Sequence, residues 1–518
     1  MYKLNNLSLN KMPISIKATL IFILGLGSGL TFPPMAFSWL IFIILAIFLS
    51  GLENKLFKYS FAYGYVFYLG AGISFIGSWF SYYFRLQLGC GYLISYCLTM
   101  ILCLYAALYC GAISSIYTRI KAYSKFYNLV FLFPSLWVLT ELIRGTFFPR
   151  SWYALGYTQV NNLLFRGYFP LFGIYGVSWL IVAISGFIVH SLSKKSKRGL
   201  VQLVSGLVIF AGLSLALSQI KYTTATGKPI KVALLQPSVF STKNYTFVTR
   251  DSLEQASQQL VQNSDAELLV LPEAVFGTTY RYLTPGYLKQ LNQIVESKSA
   301  TLIAGVNLED DAGNKYTGDV VSSDWNHAIY IKHNLVPFGE YNPLKNTPLA
   351  WILGDASEQI TQYTPGIAVQ LPYQFKDQKI AFNICYENTI NDFVAFGAKD
   401  ATIMLNQSDL SWYGQTTMKN DFFQFSQARA LENQKYFLQD GNTGDTAFIN
   451  RDGQVESHIE AYAAGAAVGM VQGYQGATPF ARLGNTPIWL LCSLTIILTL
   501  FLRSKEVKRC KKEIHDTD

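Results

Sequence analysis

Lys379 to Thr389 reads K-I-A-F-N-I-C-Y-E-N-T, an alternating apolar run that ends in the thiol of Cys385 and passes at once to Tyr386 and Glu387. The run predicts a buried strand, and Asn388-Thr389 ahead of I-N-D-F-V-A-F predicts a helix start. Cys385 therefore falls at a tight strand-to-helix turn. A side chain there is held rigidly at the end of a sheet, near helix N-terminal amides that stabilise a thiolate or an oxyanion. It is a nucleophile candidate, although a free cysteine alone is more often a small buried hydrophobe.

Two further stretches strengthen the candidate. L-L-V-L-P-E-A-V-F-G, Leu268 to Gly277, is a second buried strand that ends in Pro272-Glu273 and so places a carboxylate at a strand terminus. I-Y-I-K-H-N-L-V-P-F-G-E-Y, Ile329 to Tyr341, carries Lys332 inside an apolar strand and Glu340 after a Pro-Phe-Gly turn. An isolated Glu or Lys at such a place is usually a solvated strand end. A Glu, a Lys and a Cys, in that order, each at a strand end or in a strand of one α/β unit, form a constellation.

Composition bounds the rest. The chain has 518 residues, too many for one ordinary core, with 51% hydrophobic and only 14% charged residues, which excludes an ordinary soluble enzyme and points to a membrane protein. The net charge of +9 does not imply nucleic acid. Its clusters, Lys194-Lys195-Ser196-Lys197-Arg198 and Lys505 to Lys512, directly follow apolar runs, as in the positive-inside pattern. Of the seven cysteines, Cys90, Cys97, Cys103 and Cys110 lie in or beside one apolar segment, Cys492 lies in another and Cys510 in the basic tail. Only Cys385 falls in the soluble part, where it has no partner for an internal disulfide.

In chain order, the N-terminus is read as a retained first span rather than a cleaved signal, because apolar segments continue after it. Spans are expected near Ala18 to Thr31, Met35 to Leu52, Ser60 to Phe84, Gly89 to Tyr117, Tyr127 to Ile143, Tyr168 to Leu192, Val201 to Ser218 and Pro487 to Leu502. With eight spans every Lys/Arg-rich connection falls on one side, which is then cytoplasmic, and the long segment between spans seven and eight is periplasmic. The expected organisation is a membrane domain over 1–222, a catalytic domain over 227–477, a transmembrane helix over 485–503 and a basic tail over 504–518. Strands and helices alternate through 227–477 in an order that suits a four-layer α-β-β-α sandwich. Glu141 and Arg144 lie three apart on one helical face. Either they pair with each other, or Arg144, with Arg150 and Arg166, holds a phospholipid head group. Trp152, Tyr153, Tyr157 and Tyr168 read as an interfacial aromatic belt. No phosphate loop and no Cys/His metal spacing is present, so neither metal nor cofactor is expected.

The three motifs, L-V-P-F-G-E above all, resemble those of the nitrilase, or carbon-nitrogen hydrolase, superfamily, whose members use a Glu-Lys-Cys triad. With its spans the chain resembles the membrane-bound branch, the apolipoprotein N-acyltransferases. That likeness extends to F-P-S-L-W-V-L-T-E-L-I-R-G at Phe133 to Gly145, A-L-G-Y-T-Q at Ala154 to Gln159 and R-A-L-E-N at Arg429 to Asn433. The resemblance implies Cys385 as nucleophile, Glu273 as general base and Lys332 as oxyanion stabiliser, with Glu340, Tyr386 and Glu387 in support around Lys332 and the base. It implies Tyr245, Trp412 and Arg144 as substrate-binding residues. The implied reaction is ping-pong transfer of an acyl chain from a phospholipid to the amine of an apolipoprotein's diacylglyceryl-cysteine, by a monomer of the bacterial inner membrane. A membrane-anchored amidohydrolase, or an acyltransferase with another amine acceptor, is the alternative. Departures from the pattern occur at Gln236-Pro237-Ser238, Tyr245, Asp409-Leu410, Phe422 and Gln427.

Overall fold

The computed structural model describes residues 13–515 apart from 54, 56, 123, 148–151, 240–246, 280–281, 349–359 and 361. Among them seven helical stretches are long and apolar enough to cross a bilayer: Ile14–Thr31, Phe57–Gly77, Tyr92–Ile120, Lys125–Gly145, Arg166–Ser193, Lys197–Ser218 and Thr486–Lys505. The second expected span is the exception. Its helix, Leu40–Glu53, has 14 residues and rises only about 21 Å.

Packing shows what that short helix does. A Cβ on Gly25 of α1 (Ile14–Gly27) would meet the Phe67 carbonyl of α3 (Phe57–Leu88) at 1.9 Å, one on Gly70 would meet the Phe22 carbonyl at 2.3 Å, and one on Gly29 would meet Ser74 Oγ at 2.6 Å. These small residues let the two backbones touch. Because Gly25 faces Phe67 and Gly29 faces Ser74, α1 and α3 run in the same direction. The intervening link must carry the chain back over the same depth, and α2 (Leu40–Glu53) is the helical part of that return. The second expected span is thus a helix shorter than expected, within the return that joins two parallel helices.

α4 (Tyr92–Ile120) packs antiparallel to α3; α5 (Lys125–Tyr127) continues through a π-helical turn at Asn128–Leu132 into α6 (Phe133–Phe147); α7 (Phe169–Ser193) and α8 (Lys197–Ser218) complete the N-terminal bundle. The expected aromatic belt is not one. Trp152, Tyr157 and Tyr168 are buried, and Tyr157 Oη accepts a hydrogen bond from Arg429 of the soluble unit at 3.2 Å.

The soluble unit is the expected four-layer sandwich. One sheet has the order β12-β1-β2-β3-β4-β5, from β1 (Thr224–Gln236), β2 (Leu268–Leu271), β3 (Thr301–Glu309), β4 (Lys315–Val321), β5 (Asp324–Ile331) and β12 (Gly465–Gln475). The other has the order β11-β10-β9-β8-β7-β6, from β6 (Tyr373–Phe375), β7 (Gln378–Ile384), β8 (Ile403–Ser408), β9 (Tyr436–Gly441), β10 (Thr446–Ile449) and β11 (Val455–Ile459). Alternation along the strands assigns the layers. Val232, Leu234 and Val270 face Ile380, Ile384 and Leu405 between the sheets. Ala233, Leu269 and Leu271 face α9 (Phe247–Asn263) and α10 (Tyr287–Ser297), while Met404, Phe437 and Ala447 face α11 (Asn391–Ala398) and α12 (Met418–Asn433). Each large side chain so buried contributes about 1.5–3 kcal/mol. A short helix, α13 (Pro479–Leu483), leads into α14 (Thr486–His515), which runs on past the expected end of the last span at residue 503.

Candidate active site

Three strand ends converge. β2 stops at Leu271, and Glu273 follows with Ala274 at φ 48°; β5 stops at Ile331, so Lys332 lies just beyond the strand rather than inside it; β7 stops at Ile384, and Cys385 turns the chain at φ 47°. Phe338, in the turn before Glu340, has φ 62°. Left-handed backbone at three non-glycine residues is strained, and such strain gathers where the surroundings over-determine a functional geometry.

The side chains meet in the core. Lys332 Nζ donates to Glu273 Oε1 at 2.9 Å and to Glu340 Oε1 at 2.5 Å. Lys332 is fully buried and both carboxylates nearly so. The free oxygens are held too: Glu273 Oε2 accepts the Asp409 N–H at 3.0 Å, and Glu340 Oε2 accepts the Val336 N–H at 2.7 Å. The Cys385 thiol lies within hydrogen-bonding reach of Glu273. Burial opposes charge on Lys332, but Glu273, Glu340 and Cys385 together hold its ammonium well above the usual lysine range. Burial, followed by the Glu273 charge, pushes the Cys385 thiol well above 9.0, so the resting sulfur is protonated. Burial likewise raises Glu273 above 4.5, against the pull of Lys332.

Glu387 does a different job from the one expected. It does not touch Lys332 but accepts four hydrogen bonds, from Ile384 N at 2.8 Å, Tyr330 Oη at 2.7 Å, His333 N at 2.9 Å and Asn334 N at 3.0 Å. It thereby clamps the turn at Cys385 to the segment that follows Lys332. Tyr386 is buried beside it, its carbonyl accepting from Thr389 Oγ1 at 2.8 Å. Trp412 stands over the Pro-Phe-Gly turn, where a Cβ on Gly339 would meet its ring at 2.5 Å. Tyr245 lies outside the described residues, as does Arg150.

Arg144 and Glu141 do not pair. Glu141 Oε1 accepts from Trp137 Nε1 at 2.9 Å and Leu155 N at 3.1 Å, and Arg144 Nη2 donates to the Trp152 carbonyl at 3.0 Å. Arg144 instead lines an apolar groove between α3, α4 and α6, with its guanidinium over the Tyr68 ring at 5.6 Å. Among the described residues no group of His, Cys, Asp and Glu forms a metal-binding cluster.

Residues 24–187 match the apolipoprotein N-acyltransferase N-terminal domain, and residues 231–473 match the carbon-nitrogen hydrolase family. The apolipoprotein N-acyltransferase of Chromobacterium violaceum is 32% identical over 475 residues, 91% of each chain. The chain belongs to the apolipoprotein N-acyltransferase family. The apolipoprotein N-acyltransferase of Nitrosomonas europaea is 30% identical over 401 residues, 77% of this chain and 80% of that one. An amidase from Nesterenkonia sp. aligns at 14% identity with a TM-score of 0.35, over 50% of this chain and 96% of that one.

In this apolipoprotein N-acyltransferase family member the structure adds site residues that sequence reading missed. α3 has 32 residues, about 48 Å against a hydrocarbon core of about 30 Å, and its overshoot reaches the site. Tyr83 stacks on Tyr413 at 5.8 Å, Trp79 meets Tyr413 edge-on at 5.4 Å, and a Cβ on Gly414 would meet the Tyr82 ring at 2.3 Å. Tyr330 was missed as well, and Asp409, noted only as a departure from the family pattern, holds Glu273 through its N–H. The aromatic run S-W-F-S-Y-Y-F at the end of a span was the available signal.

Proposed function

We infer that the protein takes an acyl chain from a phospholipid onto Cys385 and passes it to the α-amine of an apolipoprotein's N-terminal diacylglyceryl-cysteine. Glu273 takes the thiol proton as sulfur attacks the ester carbonyl, and Lys332 stabilises the oxyanion that forms. An ammonium has three N–H donors; two are spent on Glu273 and Glu340, and the third serves the oxyanion. As the intermediate collapses, Glu273 returns its proton to the leaving lysophospholipid oxygen and a thioester remains. In the second half-reaction Glu273 accepts a proton from the attacking amine, and the thiolate that leaves is reprotonated. The acceptor's α-amine has an ordinary pKa of about 7.7–8.0, so a useful fraction is neutral. Glu340 positions Lys332, Glu387 positions the turn that carries Cys385, and Trp412 and Arg144 contact substrate.

The observation that carries this reading is the contact of Glu273, Lys332 and Cys385 directly above the overshooting end of α3, beside an apolar groove that opens between spans. A hydrolase of small soluble substrates needs no such placement. We place the protein in the bacterial inner membrane with the α/β unit in the periplasm, since Lys55, Lys58, Arg119, Lys121, Lys125 and Lys194 to Arg198 all sit at the opposite ends of the passes. The domain limits proposed are 1–222, 227–477 and 485–503, with the basic tail after them.

The test is mass spectrometry of lipoprotein N-termini from cells depleted of the protein. Diacylated forms with a free amine are expected to accumulate. Unchanged triacylated forms would contradict the assignment.

A further inference from the structure

A second, partly open pocket lies where the end of α1 meets the soluble unit; Leu30, Phe32, Phe75, Tyr153, Thr417 and Asp421 are among its lining residues. Asp421, in the first turn of α12 and 6% exposed, is the one charged side chain in a wall whose other polar side chains, Ser74, Tyr153 and Thr417, carry hydroxyls. Among the described residues no donor or cation meets the Asp421 carboxylate. An uncompensated buried carboxylate is costly, and burial pushes this one well above 3.8.

The cavity adjoins the groove that holds Arg144. Both are lined by Phe75 and Tyr153, whose rings stack at 4.7 Å with 7° between planes. Tyr153 is within electrostatic reach of both Arg144 and Asp421. A cation and an anion thus flank one aromatic pair near the outer end of α3, beside a route from the bilayer.

We propose that Asp421 receives the primary ammonium of a zwitterionic lipid, so that Arg144 and Asp421 together read a phosphoethanolamine head group on the acyl donor. This deepens the donor half of the reading above and rests on it. The chemistry favours the donor's ammonium over the acceptor's. The acceptor's amine must be neutral to attack a thioester, whereas an ethanolamine ammonium leaves with the lysophospholipid and stays ion-paired throughout. The cost of ordering the carboxylate is then offset by a charge-assisted hydrogen bond.

The test uses the full-length protein and compares thioester formation at Cys385 from phosphatidylethanolamine and phosphatidylglycerol with the same acyl chains. Asp421→Asn, which keeps the shape and removes the charge, is expected to lower the ethanolamine-to-glycerol rate ratio by about tenfold or more, the loss of one hydrogen bond to a charged group. The wild-type protein is expected to lose rate as the ethanolamine nitrogen is methylated stepwise to phosphatidylcholine, a comparison that needs no variant to fold. An unchanged ratio in Asp421→Asn would overturn the proposal, as would equal losses with both lipids, which mark a structural role. A raised KM for a diacylated lipopeptide with an unchanged lipid ratio would also overturn it, assigning Asp421 to the acceptor. If the wild-type protein forms no thioester from any phospholipid, the donor reading itself fails.

Discussion

At Lys332 a fully buried ammonium is shared by two carboxylates, Glu273 and Glu340, and this arrangement sets the chemistry of the site. Burial alone would discharge the lysine, and the carboxylates prevent it. Lys332→Met keeps the length, removes the donor, and is expected to slow thioester formation on the order of 10²–10³-fold, as loss of one oxyanion donor does; a rate near wild type would remove Lys332 from the mechanism. The pH dependence follows from Glu273. Its carboxyl is raised above 4.5 by burial, and as the proposed base it must be ionised to take the thiol proton, so activity is expected to be lost as pH falls through a value above 4.5. A rate profile flat down to pH 4.5 would contradict Glu273 as the base. Because the Cys385 thiol is pushed well above 9.0, no second limb from thiol ionisation is expected near neutrality.

At the scale of elements, the site depends on how closely the strands approach one another. β3 touches the residue after β2: a Cβ on Gly305 would meet the Pro272 carbonyl at 2.6 Å and Glu273 Cα at 2.7 Å. Backbone cannot give way cheaply there, so Gly305→Ala is expected to displace Glu273 and slow thioester formation about 10²-fold, the usual cost of a misplacement near 1 Å. A wild-type rate would show that the base tolerates the shift. The three strand ends were legible in the sequence because each is a local pattern, an apolar alternation closed by Pro-Glu, Lys-His-Asn or Cys-Tyr-Glu. The strands β4, β6 and β11 were not legible. Gly and Asp break the alternation in K-Y-T-G-D-V-V, β6 has three residues, and V-E-S-H-I is a mostly exposed edge. These strands exist because their neighbours supply the pairing. Glu387 was legible as a site residue but not in its role, since three of its four partners, Tyr330 of β5 and His333 and Asn334 just after it, lie more than fifty residues away.

At the scale of the whole molecule, membrane and soluble parts are joined at buried polar contacts as well as by the tip of α3. Arg429 of α12 donates to the Asn388 carbonyl at 3.2 Å, just past the Cys385 turn, and to Tyr157 at 3.2 Å in the membrane part. Its neighbour Glu432 accepts the Ile174 N–H at 2.8 Å, beside the break in α7 at Gly173, where φ is 61°. The sequence marks the stretches that hold Tyr157, Arg429 and Glu432 but not their pairing, because the two contacts that reach the membrane part join residues more than 250 positions apart. The proposed orientation makes a further expectation. In intact spheroplasts, with Cys90 and Cys97 replaced, a membrane-impermeant maleimide is expected to label Lys399→Cys on the soluble unit and to spare Lys195→Cys between α7 and α8. The reverse pattern would invert the proposed orientation and put the site on the cytoplasmic side.

The most direct measurement is intact-protein mass spectrometry of the purified full-length chain after incubation with phospholipid, followed by a chase with either a diacylated lipopeptide or buffer alone. The expected result is one added acyl chain, mapped to Cys385 and absent from Cys385→Ala, that persists in buffer and is discharged by the lipopeptide with formation of its N-acyl product. An adduct on another residue, no adduct, or discharge by water as fast as by the lipopeptide would contradict acyl transfer through this cysteine.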